Sequence, residues 1–389
     1  MVSLLLAVIY LAFIGLGLPD SLLGSAWPVM QPQFGAPISF AGVISMIITG
    51  GTIMSSLLSE RMTRRFGTGL VTACSVALTA AALFGFSVSG RLWMLCLWAV
   101  PYGLGAGAID AALNNYVALH YSSRHMSWLH CFWGVGASVS PFIMGACLAA
   151  NGRWETGYRT VSLIQIVLTV LLFFSLPLWN RGEQGENSAE RSEKPLLGLR
   201  GALKIPGVPA ILLAFFAYCG AETTAGLWAS SYLVSARGVA PGTAASFASL
   251  FYLGITVGRF LNGFVADRAG DRRMIRVGAA VMGAAALLIL LPTERPLPAL
   301  AGLVLFGLGC APVYPSIIHA TPAHFGADKS QAVIGIQMAA AYLGSTLMPP
   351  LFGLLANALS LRLYPVWLLG MLALLVGMAE RVNRICDNG

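Results

Sequence analysis

Apolar runs of about 20 residues or more succeed one another along nearly the whole chain, and they decide what it can fold into. Of its 389 residues, 57% are hydrophobic and only 10% charged. A soluble domain carries roughly 25% charged residues, so too few polar side chains remain here to cover a water-facing surface. Lipid is the solvent expected for most of the chain. In lipid every backbone amide must be paired internally, which leaves helices or a closed barrel. The runs are rich in Leu, Ala and Gly and do not alternate in polarity, so they read as helices.

Twelve spans are expected: 3–30, 38–59, 67–88, 92–119, 127–149 and 157–179, then 206–235, 242–266, 273–292, 297–322, 330–356 and 361–381. Between the sixth and seventh lies RGEQGENSAERSEK, the one charge-dense stretch. It reads as a flexible linker over 181–205, separating six-helix halves at 1–180 and 206–389. The apolar start lacks the basic region and small-residue cleavage site of a signal peptide, so it is expected to stay as the first span.

The net charge of +8 follows topology. With both termini cytoplasmic, the inner loops hold sixteen basic residues, the outer loops hold six, and Arg259 lies inside a span. That asymmetry fits the positive-inside pattern of a multi-pass protein of the cell (inner) membrane and gives no footprint for nucleic acid. The seven cysteines form no C-x-x-C pair, so neither a zinc site nor a disulfide framework is expected. There is no G-x4-G-K-[ST] and no H-E-x-x-H, so the chain reads as no enzyme, with no cofactor, no metal and no ATP drive.

The halves repeat. Gly136-x4-Pro141-x3-Gly145 returns as Gly344-x4-Pro349-x3-Gly353, and Gly103-Leu-Gly105 as Gly307-Leu-Gly309. Asp20-x3-Gly24 returns as Glu222-x3-Gly226, and all three offsets lie between 202 and 208. Parallel six-helix repeats place a substrate site near the bilayer midplane.

Between the eighth and ninth spans stands Gly263-x3-Asp267-Arg268-x-Gly270-x-Arg272-Arg273. It resembles the signature loop of the major facilitator superfamily. Ser56-x3-Glu60-Arg61-x-Thr63-Arg64-Arg65 is a degraded first-half copy. The resemblance implies the all-α major-facilitator fold, twelve membrane helices in two pseudo-symmetric halves. It also implies a conformational latch at Gly263, Asp267, Arg268, Arg272, Arg273, Glu60 and Arg61, whose acid sits near a neighbouring helix end. Within the superfamily, Gly-Ala-Ile-Asp110-Ala-Ala-Leu-Asn114-Asn115-Tyr116 and Asp20 most resemble the fucose-permease type of sugar:proton symporters. Those carry an acid in each matching span, though with Glu where this chain has Asp110 and commonly Pro where it has Asn115.

Asp20, Asp110 and Glu222 are the candidate proton-coupling groups. An ionised side chain at the bilayer centre costs at least ~2.5–3.5 kcal/mol, so each is expected to face the bundle interior or a watered cavity. A carboxyl is neutral when desolvated and ionised when wet, and alternating access changes its wetting. The plainer alternative is an acid held permanently by Ser, Thr or Asn. Asp110 aligns with Tyr314 in the repeat and has no acidic counterpart, which makes it the foremost candidate.

Gly103, Gly107, Asp110 and Asn114 share a helical stripe, as do Asp20, Gly24 and Trp27. The two span-4 glycines are read as packing residues. Sugar sites combine aromatic faces with a few placed polar groups, so Asn114, Asn115, Trp27, Trp133, Gln165, Trp228, Asn262, Gln337 and Tyr342 are the substrate-binding candidates. For each Trp, packing or an interfacial belt is the competing reading. His130 could relay protons with Asp110 or be structural, while His319 and His324 read as interfacial. Arg259 is expected to pair within the latch region rather than with Glu222. The function expected is uptake of a small polar solute, a sugar in the leading reading, by a monomer in the lipid bilayer coupled to protons. A proton-driven drug or metabolite exporter and sodium-coupled sugar uptake are the alternatives.

Overall fold

The computed structural model describes residues 4–36, 40–151, 153–183, 197–239, 241–293 and 295–387. The central part of the expected linker, 184–196, lies outside them.

Among the described residues the apolar runs are helices. The first part of the chain forms α1 (Leu4–Gly17), α2 (Leu22–Phe34), α3 (Phe40–Phe66), α4 (Thr68–Ser87), α5 (Leu92–His120), α6 (Ser123–Asn151) and α7 (Trp154–Glu183). A short α8 (Gly198–Leu203) follows the linker. Then come α9 (Val208–Arg237), α10 (Pro241–Ala269), α11 (Asp271–Leu290), α12 (Leu297–His319), the short α13 (Thr321–Phe325), α14 (Ser330–Ala358) and α15 (Tyr364–Asp387). Among the described residues, eleven stretches are long and apolar enough to cross a membrane, Leu4–Trp27 counting as one. The expected eighth span corresponds to α10, a helix of 29 residues.

The expected continuous first span is broken. α1 stops at Gly17 and α2 starts at Leu22, with Pro19 and Asp20 in the turn between them. Proline has no N–H and clashes with the carbonyl four residues back, here that of Gly15. Through the break the backbone tightens to i→i−3 bonds, from Asp20 N to Gly17 O and from Leu22 N to Pro19 O, both at 3.2 Å. The side-chain amide of Gln165 on α7 donates to the Gly15 carbonyl that Pro19 cannot satisfy. Asp20 therefore sits in a turn, and the helical face expected to join it to Gly24 and Trp27 is interrupted at the acid.

The signature segments are also not free loops. Glu60, Arg61, Arg64 and Arg65 lie in the last turns of α3, and Asp267 and Arg268 close α10. A glycine follows each helix, Gly67 with φ 77° and ψ 157°, and Gly270 with φ 77° and ψ 153°. Both positions demand a residue without Cβ, and each starts the next helix. Matching the copies on these hinges puts Arg64 opposite Asp267 and Glu60 one turn earlier, so the two acids are not equivalent by position. This corrects the register expected from the motif alone.

The repeated glycines have a packing reason. A Cβ on Gly136 would strike the Ile14 carbonyl, and one on Gly344 would strike that of Phe216, 202 residues further on. Gly103 lies against the Ile48 carbonyl and Gly307 against that of Phe251. In each case two helix backbones meet where any larger residue would part them.

The chain divides into two compact units, Met1–Tyr116 with Leu129–Gly198, and Val117–Trp128 with Leu199–Gly389. In the first, α4 packs along α7, and α1 contacts both. In the second, α9 packs on α14 and α15, and α12 on α10 and α11. The turn between α5 and α6 belongs to the second unit, although most of both helices lies in the first.

Candidate functional site

Two polar clusters occupy the first unit. The turn at Pro19 leaves Asp20 an exposed residue, and two aromatic side chains hold its carboxylate. Trp133 Nε1 donates to Oδ2 at 2.9 Å, and the Tyr102 hydroxyl donates to Oδ1 at 3.1 Å. Both donors reach a position that the broken helix presents sideways. Trp133, expected to touch substrate, is thus a direct partner of the acid, and Tyr102 on α5 is a partner the sequence did not single out.

The second cluster is buried. Asp110 is 5% exposed and Asn114, one turn on, is 0% exposed. Asn114 Nδ2 donates to Asp110 Oδ1 at 2.8 Å, and also to its backbone carbonyl at 3.0 Å. With the amide nitrogen so placed, Asn114 Oδ1 accepts from His130 Nε2 at 3.0 Å. The His130 ring meets Phe13 edge-on, centroids 5.5 Å apart. Asp110, Asn114 and His130 therefore form one hydrogen-bonded line from α5 to α6. An amide between an acid and an imidazole can donate to a carboxylate or to the carbonyl oxygen of a protonated carboxyl without moving.

In the second unit, Glu222 on α9 accepts a short hydrogen bond from Tyr218 and pairs with Arg259 at 3.8 Å. Arg259 also lies over the Tyr314 ring, 5.8 Å from its centroid. This overturns the expected pairing of Arg259 within the latch region. The reason is geometric, because Arg259 is 4% exposed and sits over two turns before Asp267 along α10, facing α9 and α12. Opposite charges offset each other where either alone would be costly. Tyr314, the repeat counterpart of Asp110, supports the arginine.

The signature segments bind helix starts. Asp267 accepts from the backbone N–H of Arg124 at 2.9 Å and the Ser122 hydroxyl at 3.0 Å, at the first turn of α6. Arg124 closes an ion pair with it at 3.2 Å. A carboxylate there satisfies an otherwise unpaired amide and meets the positive end of the helix dipole. Gly263 leaves room for Trp128, whose indole nitrogen a Cβ would strike. Glu60 accepts from the backbone N–H groups of Leu197 and Gly198 at 3.1 and 3.2 Å and pairs with Arg64 at 3.3 Å. Arg272 forms a two-pronged pair with Asp387 at 2.6 and 2.9 Å, which ties α11 to the end of α15.

The family model of the Major Facilitator Superfamily matches residues 9–234 and 210–380. The chain belongs to the Major Facilitator Superfamily. It is a membrane transporter, as that family is, and not an enzyme. It is 25% identical over 293 residues to Bypass of stop codon protein 6 of Saccharomyces cerevisiae, covering 69% of this chain and 58%, less than two thirds, of that protein. It is 24% identical to the glucose/mannose transporter GlcP of Bacillus subtilis over 96% of this chain and 94% of GlcP. It is also 24% identical to the probable nitrate/nitrite antiporter NarK1 of Thermus thermophilus, over 83% of this chain and 78% of that one. Its fold is similar to that of FucP, a fucose:proton symporter of E. coli, with TM-score 0.79, 15% identity and coverage of 97% of this chain and 98% of FucP.

Within this superfamily member the remaining candidates divide by surroundings. Trp27 is 6% exposed and packs in an apolar core with Leu22, Ala26 and Met30. Gln165 is 1% exposed and braces Gly15. Gln337 is 0% exposed and accepts from Thr321 at 3.0 Å. Trp228 donates to the Pro349 carbonyl at 3.0 Å. Each of these four has a structural partner that accounts for its place. Asn115 is buried beside Asn114, whereas Asn262 and Tyr342 are half-buried on α10 and α14.

Proposed function

We propose that this transporter moves a small polar solute of the sugar class together with a proton, and that Asp110 takes up and returns that proton. The observation that carries this reading is the line Asp110–Asn114–His130, a carboxyl out of solvent held by a neutral amide and backed by an imidazole. Such an acid can be charged or neutral with the same neighbours in place, and a change in wetting moves it between the two. Asp20 is the second carboxyl in this scheme. Exposed and flanked by Trp133 and Tyr102, it has the mixture of carboxylate and aromatic faces that a sugar hydroxyl and ring require. Glu222 with Arg259 is a charge pair in the second unit that serves the arrangement of α9 and α10. The full-length similarity to GlcP supports the sugar class. The excess of basic residues in alternate loops supports a cell-membrane protein with both termini cytoplasmic.

Counterflow in proteoliposomes tests the solute class: preloaded vesicles are offered labelled hexoses and pentoses, inorganic nitrate and cationic drugs. Saturable exchange of a sugar is expected. Exchange of nitrate with no sugar would replace this reading by an exchanger of the kind the name NarK1 describes, and exchange of a drug with no sugar would replace it by a drug exporter.

A further inference from the structure

Three segments of the second unit meet at the end of α12. His319, its last residue, presents Nδ1 to Asp271 Oδ2 at 2.7 Å and Nε2 to the Tyr121 backbone carbonyl at 3.1 Å. The other Asp271 oxygen accepts from Ser123 at 2.7 Å. A backbone carbonyl can only accept, and so can an ionised carboxylate, so both ring nitrogens must carry protons for both bonds to exist. Only the imidazolium does this. A neutral ring keeps one bond and turns a lone pair toward the other oxygen.

We infer that His319 is a protonation-controlled clasp that holds the α5–α6 turn, residues 117–128, to the start of α11 and the end of α12. The turn joins the helices that carry Asp110 and Asn114 on one side and His130 and Trp133 on the other. Its attachment therefore sets where those helices end, whichever solute the protein moves. The charged groups around the ring are Asp271 in contact and Asp267 beyond it. Asp267 is already paired with Arg124, and Asp271 also faces His324 on α13, where Arg272 lies close by. His324 is held toward its neutral form by burial and by Arg272, so it does not supply the second donor. The sign follows from the bonds: the clasp is complete while the ring is protonated and is lost as pH rises through its titration. Asp267 holds the same turn through the Arg124 backbone and the Ser122 hydroxyl, bonds that involve no histidine atom, although His125 of the turn lies near its charge and against the Tyr121 ring, so the turn keeps a residual anchor at high pH.

Hydrogen exchange of the peptide 117–128 in the purified full-length protein tests this at about pH 5.5 and about pH 8.5, either side of the histidine range, after correction for intrinsic rates. Protection in the wild type is expected to fall roughly three- to tenfold at the higher pH, the scale of one lost charge-assisted contact. In His319→Gln, whose amide cannot titrate, and in Asp271→Asn, which removes the anionic acceptor, that change is expected to vanish. Both variants are checked for unchanged exchange in α9. A wild-type peptide indifferent to pH, or the wild-type change persisting in either variant, would overturn the clasp.

Discussion

The Asn114 side-chain amide donates to the Asp110 carboxylate at 2.8 Å, one turn apart on α5 and both buried. It turns an isolated buried acid into the end of a line that reaches His130 on the next helix. Replacing Asn114 by Leu keeps the volume and removes the amide from both neighbours. Hydrogen bonds to charged groups contribute about 1.5–3 kcal/mol, so gradient-driven uptake should fall by roughly ten- to a hundredfold. Transport assays in proteoliposomes at matched protein density would show it. An unchanged rate means the amide is not part of the coupling path.

The clasp on Asp20 gives a second expectation. Trp133→Phe and Tyr102→Phe each remove one donor and little bulk. Each should weaken solute affinity by about tenfold while leaving thermal stability within ~1 kcal/mol, because Asp20 is an exposed residue that keeps its other donor, and water can take the vacated place. Titrating the solute against tryptophan fluorescence or by calorimetry reads this out. Equal loss of stability and affinity would make the clasp a folding feature.

Glu222 and Arg259 are predicted to be worth more together than apart. Arg259→Met leaves a carboxylate facing apolar helices, and removing one partner of a buried pair costs about 3–5 kcal/mol. Glu222→Gln with Arg259→Met should recover most of that loss. Thermal unfolding of the two singles and the double in detergent decides it. Additive losses would show that the 3.8 Å contact carries no coupling.

The repeat makes a paired prediction. Gly136→Val and Gly344→Val should each destabilise by at least about 1–3 kcal/mol, since each side chain meets a helix backbone with nowhere to move. Gly24→Ala meets nothing within 4 Å and serves as the control. A harmless Gly344→Val would mean that the two halves do not use their glycines alike.

Much of this was legible in the chain. The spans followed from hydropathy, and the return of Gly136 as Gly344 marked the repeat, whose equivalent close approaches the structure then shows. The resemblance to major facilitators rested on the segment that the structure shows gripping a helix start through Asp267. What escaped the sequence depends on through-space partners. The break at Pro19 was hidden by unbroken hydropathy, since a proline after Gly15 and Gly17 is as apolar as the helix it ends. Glu222 and Arg259 are 37 positions apart, and only the packing of α9 against α10 brings them together. Tyr102 and Tyr218 looked like ordinary membrane aromatics, and their hydroxyls became informative once an acid lay within reach. His319 looks interfacial in the sequence, since Asp271 and Tyr121, its two acceptors, come from distant parts of the chain.

The central claim is that Asp110 carries the coupled proton, and Asp110→Asn addresses it with almost no change in shape. The measurement compares accumulation driven by an imposed pH gradient with counterflow exchange, in the same proteoliposomes and with the sugar that the wild type exchanges. The account predicts that Asp110→Asn retains exchange, because a permanently neutral side chain mimics the protonated acid, and loses accumulation against a gradient. Accumulation at the wild-type level in Asp110→Asn would contradict it.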